Sequence, residues 1–215
     1  MKRIMAFGDS NTWGWNPAAS LGGPAVRYDE TTRWTGRLQS LLGEGYKIIE
    51  EGLNGRTTVF QDPLEPYRCG KDMLVPLLLT HQPLDLVIIM LGTNDLKSRF
   101  SVPPADINLG IQTLIRMCRN NRETFSDGNP SILLVAPAPV NLEEGTEGEE
   151  GFAGGNEKSR RLGSLYEKTA LTQGIDFIDL GNWISADRTD GIHLSADSHR
   201  IIAEKLSEKI REILP

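Results

Sequence analysis

The sequence predicts an α/β fold built on a parallel sheet, and two observations carry that prediction. Short aliphatic and β-branched runs recur along the 215 residues, and stretches of helical periodicity separate them. Their aliphatic and β-branched content suggests strands buried on both faces under helices. Strands that alternate with helices imply right-handed crossovers, so the strands run parallel.

Taken in order, the first strand falls on residues 3–7 and stops at Gly8. A helical stretch over 32–42 leads to a second strand at 47–50, and residues 84–90 form a third. A helix over 106–120 precedes a fourth strand, Ile132–Ala136, and another over 157–173 precedes the fifth, Asp176–Asp179. The helix over 196–214 closes the chain. Between 142 and 155, five glutamates and five glycines crowd together. A segment so polar and so rich in glycine has little with which to pack, and a mobile loop is expected there.

At this length one domain spanning residues 1–215 is expected. Apolar residues make up 39% and charged residues 24%, as in an ordinary water-soluble protein, and no apolar run approaches the roughly 20 residues of a membrane span. The basic start Met1-Lys2-Arg3 precedes an apolar run shorter than the roughly 7–15 residues of a secretion signal, so a cytoplasmic location without a membrane partner is expected. A net charge of −6 argues against nucleic acid, whose phosphates call for a basic patch. The two cysteines, Cys69 and Cys118, have neither metal-site nor disulfide-framework spacing and are expected to be free thiols, buried or half-buried. The three histidines are too scattered for a metal site, and the glycine turn at Gly8 carries a carboxylate where a phosphate would sit, with no Walker lysine. No metal and no cofactor are expected.

In an open parallel sheet, ligands bind beyond the carboxyl ends of the strands. Ser10 lies just past the first strand, Asn54 and Gly55 past the second, Asn94 and Asp95 past the third, and Asp190 and His193 past the fifth, so all gather on one edge. A serine hydroxyl is a weak nucleophile until an imidazole takes its proton, and His193 is the candidate base. Asp190, three residues earlier, can fold back onto the imidazole, fix its tautomer and stabilise the imidazolium. Acyl transfer also needs donors for a developing oxyanion, and the backbone N–H of Ser10, the backbone N–H of Gly55 and the Asn94 amide are the candidates. Each residue has a plainer reading: Gly8-Asp9-Ser10 as a helix-capping turn, Asp190-Gly191 as a surface turn, Gly55 as a turn glycine, Asn94 as a cap. Strand-end placement and the chain order Ser, Asp, His favour the chemical reading. Trp15 is the candidate wall of an acyl pocket, with Asn54 and Ile192 beside it. His81 and His199 have no carboxylate at triad-like spacing and are expected to be structural.

The blocks Gly8-Asp9-Ser10-Asn11-Thr12, Asn54-Gly55-Arg56-Thr57, Gly92-Thr93-Asn94-Asp95 and Asp190-Gly191-Ile192-His193-Leu194 together resemble the four motif blocks of the SGNH hydrolases, also called GDSL esterases. The likeness extends over essentially the whole chain. It narrows to a bacterial arylesterase and acyltransferase branch through Trp13-Gly14-Trp15, Arg33-Trp34-Thr35-Gly36 and the run from Leu84 to Asp95. The resemblance implies a three-layer, flavodoxin-like α/β/α sandwich around a five-stranded parallel sheet, and a homo-oligomer. It implies a serine esterase acting on a small-molecule ester of short acyl chain, with Ser10 as nucleophile, Gly55 and Asn94 as oxyanion donors, and possible transfer to an alcohol or peroxide. Asn11 stands where the name-giving tetrapeptide has leucine; it follows the nucleophile and lies outside the chemistry. Removal of O-acetyl groups from carbohydrates by the same triad is an alternative, and a ligand-binding module without catalysis is an alternative of another class.

Overall fold

The computed structural model describes residues 1–145 and 147–215. Five strands, β1 (Lys2–Gly8), β2 (Tyr46–Gly52), β3 (Leu86–Met90), β4 (Ile132–Ala136) and β5 (Asp176–Asp179), form an all-parallel sheet in the order β2-β1-β3-β4-β5. Around it lie α1 (Ser10–Trp13), α2 (Pro17–Ser20), α3 (Trp34–Leu42), α4 (Gly70–His81), α5 (Pro104–Asn120), α6 (Glu147–Gly151), α7 (Gly155–Arg160), α8 (Leu162–Gln173) and α9 (Ala196–Ile213).

The strand period of two sorts the core into two layers. Met5, Phe7, Val87, Ile89 and Leu134 point to one face, against Leu74 and Leu78 of α4, Ile111 and Leu114 of α5, and Leu162 and Tyr166 of α8. Ile4, Ala6, Leu86, Ile88, Leu133 and Val135 point to the other, onto Trp34 and Leu38 of α3 and Ile202, Leu206 and Ile210 of α9. The result is the expected three-layer sandwich. Helix α9 shows why such a sequence folds this way: the Ser195 hydroxyl caps the Ser198 N–H at 3.1 Å, and Ile202, Leu206 and Ile210 recur every four residues on the buried face. Gly163 serves a close approach, because a Cβ there would lie 2.1 Å from the Asp179 carboxylate at the end of β5.

Strand β2 is an outer strand of the sheet. Its open edge is occupied by one side chain of α3: Gln39 accepts from the Ile48 N–H at 2.8 Å and donates to the Tyr46 carbonyl at 2.9 Å. From β1 the chain steps outward to β2, then crosses back past β1 to β3 and continues outward on that side, so the topological switch point lies between the carboxyl ends of β1 and β3.

Several boundaries differ from the sequence expectation. Strand β3 begins at Leu86, since Leu84 instead bonds to Thr124 and bridges Phe125. Helix α3 begins at Trp34, because the Asp29 carboxylate gathers Thr31 and Thr32 into a turn. Helix α5 begins at Pro104, where a proline suits the first turn. The single helix expected over 157–173 is two, α7 and α8, separated at Arg161. Helix α4 was not expected: Pro76 interrupts its pattern, yet Leu74 and Leu78 are fully buried and hold it to the sheet.

The 142–155 segment is also more than a loop. It contains α6, buries Leu142 and Phe152 in the core, and is tied down by Ser98, whose hydroxyl donates to the Glu150 carbonyl at 3.0 Å and accepts from the Ala153 N–H at 2.8 Å. Cys69 and Cys118 are free and buried. Among the described residues no helix is long and apolar enough to cross a membrane.

Candidate active site

Strand β1 ends at Gly8, where a Cβ would collide with the Thr12 side chain at 2.0 Å. The chain can therefore fold straight back into the short helix α1. Asp9 caps that helix, accepting from the Asn11 N–H at 2.9 Å, and Ser10 is its first residue. The capping role thus falls to Asp9 and leaves the Ser10 hydroxyl for another partner. Burial pushes the Asp9 carboxyl up to about 6, against the opposing pull of the Asn11 N–H and of His193, Arg56 and Lys97.

That partner comes from the loop after β5. Ser10 Oγ lies 2.9 Å from His193 Nε2, and His193 Nδ1 lies 2.6 Å from Asp190 Oδ2. The other Asp190 oxygen accepts from the Ile192 and His193 N–H groups at 2.9 and 2.8 Å, fixing the carboxylate from behind. Burial raises the Asp190 carboxyl, but the hydrogen bond and charge of His193 and these two backbone donors outweigh it and hold the group below the usual range. Asp190 is therefore ionised at neutral pH, so Nδ1 carries the proton it donates, and Nε2 is left to accept from the serine. The loop needs Gly191, which has φ +71° and sits where a Cβ would lie 2.7 Å from the Asn141 carbonyl.

Gly55 follows β2 with φ +78°, and a Cβ there would also lie 2.8 Å from Glu65. Asn94, buried, donates one amide N–H to the Arg56 carbonyl at 3.1 Å, and Arg56 Nη1 donates to the Gly8 carbonyl at 2.9 Å. Asp95 accepts from the Thr58 N–H at 2.9 Å and from the Thr58 hydroxyl at 2.5 Å. The three segments carrying Ser10, Gly55 and Asn94 are thereby joined side to side at the switch point. Burial pushes the Asp95 carboxyl up to about 6, partly offset by the Thr58 donors.

The remaining candidates also reach this edge. Trp15 stacks on the His193 imidazole, with centroids 4.7 Å apart and planes 13° from parallel. Ile192 packs against the core, and its carbonyl accepts from the Asn11 side chain at 3.4 Å. Asn54 has a buried side-chain oxygen without a protein partner. A cavity of about 450 Å³ adjoins the triad at Asp190, Gly191 and Ile192 and is further lined by Leu21, Glu143, Arg188 and Thr189.

Sequence reasoning gave no part to Arg56, Thr58 or Asp95, although all stand in or beside the motif blocks. Their partners lie far along the chain, and only the fold brings them together. Of the other histidines, His199 is fully buried and accepts from the Trp34 N–H at 3.2 Å through Nδ1; burial lowers its pKa to about 3. His81 ends α4 instead of lying in a connection, and it does meet a carboxylate, Glu51 at 2.6 Å, one that adjacent sequence does not reveal.

A parallel α/β sandwich with Ser, His and Asp hydrogen-bonded in series beside its switch point defines the class, a hydrolase of the serine-triad type. Residues 6–201 match the model of the GDSL-like lipase/acylhydrolase family, and the chain belongs to that family. It is a carboxylic ester hydrolase. The native aryl esterase of M. smegmatis is 40% identical, with 100% of both chains covered and a TM-score of 0.93. Est24, a carbohydrate acetylesterase from Sinorhizobium meliloti, is 39% identical over 100% of both chains, also with a TM-score of 0.93. No curated protein matches the sequence.

Proposed function

We propose that the protein is a serine esterase for short-chain carboxylic esters, with Ser10 as nucleophile, His193 as general base and Asp190 as its orienting carboxylate. The observation that carries this reading is the series Ser10 Oγ to His193 Nε2 at 2.9 Å and His193 Nδ1 to Asp190 at 2.6 Å. Ser10 Oγ attacks the ester carbonyl carbon as its proton passes to Nε2. The oxyanion is taken up by the Ser10 and Gly55 N–H groups and the Asn94 amide. The imidazolium then protonates the departing alkoxide, leaving an acyl-enzyme and an alcohol. Water, activated by the same imidazole, releases the acid and restores Ser10. An alcohol or a peroxide in place of that water yields a new ester or a peracid. Trp15 narrows the acyl side, and association into a homo-oligomer would restrict it further.

Hydrolysis of p-nitrophenyl esters from acetate to octanoate by wild type and Ser10→Ala tests this reading. Acetate is the preferred substrate, and the variant loses turnover; equal rates for the two proteins would remove Ser10 from the mechanism. Octanoate turnover matching that of acetate would refute the short-chain preference. A second reading, O-deacetylation of a carbohydrate, is favoured by the cavity beside the triad, where Arg188 and Thr189 offer partners for sugar hydroxyls. Glucose pentaacetate tested against phenyl acetate separates the two.

A further inference from the structure

Trp15 does more than bound a pocket. Its indole lies 4.7 Å from the His193 imidazole and 13° from parallel, so it covers one face of the ring that becomes cationic during catalysis. The backbone is built to hold it there. Gly14, with φ +93°, turns the chain out of α1; Trp15 pairs with Arg27 as an antiparallel bridge, the Asn16 N–H donates to the Val26 carbonyl at 2.9 Å, and the Tyr28 N–H donates to the Gly14 carbonyl at 2.7 Å. The whole excursion from 16 to 26 leaves and returns at this one ladder. Arg27 fastens it further, donating to the Trp13 carbonyl, lying over the Trp13 ring and pairing with Glu50 at 2.9 Å.

We infer that Trp15 is a positioning residue that stabilises the His193 imidazolium through its π face and holds the ring in plane for proton transfer. This rests on His193 being the base. An aromatic face attracts a cation set against it and does little for the neutral imidazole. The free energy of the protonated free enzyme and that of the transition state, both with a charged ring, are lowered together, while the neutral resting enzyme is not. Removing the indole therefore slows the reaction only at pH values where resting His193 is neutral. The titratable groups that face the imidazole are Asp190, at 2.6 Å in the loop after β5, and Asp9 at the head of α1, whose carboxyl, raised to about 6, is charged at the plateau and takes up a proton along the acid limb; buried His199 on α9 is neutral. These remain when Trp15 is replaced.

The test is the pH profile of kcat/KM for p-nitrophenyl acetate in wild type, Trp15→Phe and Trp15→Leu, with Tm measured alongside. Trp15→Leu is expected to lower the plateau about three- to ten-fold and to move the acid limb down by about 0.5–1 pH unit, so that its curve converges with wild type at low pH. Trp15→Phe, with a weaker π face, falls between and carries the test should the leucine variant not fold. A plateau loss with an unmoved acid limb, or an effect confined to KM and acyl-chain preference, would overturn the inference and leave Trp15 as a wall. A wild-type profile with no acid limb would instead overturn the assignment of His193.

Discussion

The Asp95→Asn substitution isolates the energetics of a buried charge that the site keeps. Asp95 is fully buried, and its carboxyl is raised from 3.8 to about 6. The folded state thus binds the proton more readily than the unfolded chain between those values, and the contribution of this group to stability falls as pH rises from below 3.8 to above 6. A shift of about two units corresponds to ~3 kcal/mol lost by neutral pH. Asparagine has no such titration. Whatever the amide does to the Thr58 hydrogen bonds is a constant offset, so the difference in unfolding free energy between variant and wild type should move toward the variant by ~2.4 kcal/mol from pH 4 to pH 8. Urea titrations at four or five pH values in that range measure it directly. A difference that stays flat with pH would refute the buried, ionised carboxylate.

Two further outcomes follow from the same geometry. Asn94→Ala removes the proposed oxyanion donor and is expected to cost about 2.7–4 kcal/mol of barrier, roughly 10²–10³ in kcat with KM nearly unchanged; a loss confined to KM would place Asn94 in binding. Phe152→Ala empties a buried position in the glutamate-rich segment and should lower unfolding free energy by about 3 kcal/mol in urea titration, whereas unchanged stability would mean that this segment does not contribute to the core.

The sheet and its strand-end residues were legible because they rest on local signals: apolar runs of strand length, a glycine where β1 and β2 stop, and a carboxylate three residues before a histidine. What escaped depends on long-range packing. Helix α4 contains Pro76, which reads as a breaker, and only the burial of Leu74 and Leu78 against the sheet makes the helix stand. Phe152 lies among glutamates and glycines whose composition points to solvent, yet one aromatic and a hydroxyl on the facing segment are enough to dock it. The Thr58–Asp95 pair, the Arg56 link to Gly8 and the indole over His193 all join residues far apart in sequence. Each residue could be seen as polar or aromatic near a motif, but its partner could not be read from spacing.

The contact between Gln39 and the outer strand β2 bears on how copies of this protein can meet. An exposed strand edge is a template on which another sheet can grow, and open-ended stacking is its hazard. Here a side chain has taken the place of the next strand at Ile48 and Tyr46, and the groove alongside carries Glu30, Glu44 and Glu50. A second molecule approaching this edge finds the Ile48 N–H and the Tyr46 carbonyl already engaged. Growth of the sheet across this edge into a fibre is thereby disfavoured relative to contacts through helices and loops, which can close into a finite assembly.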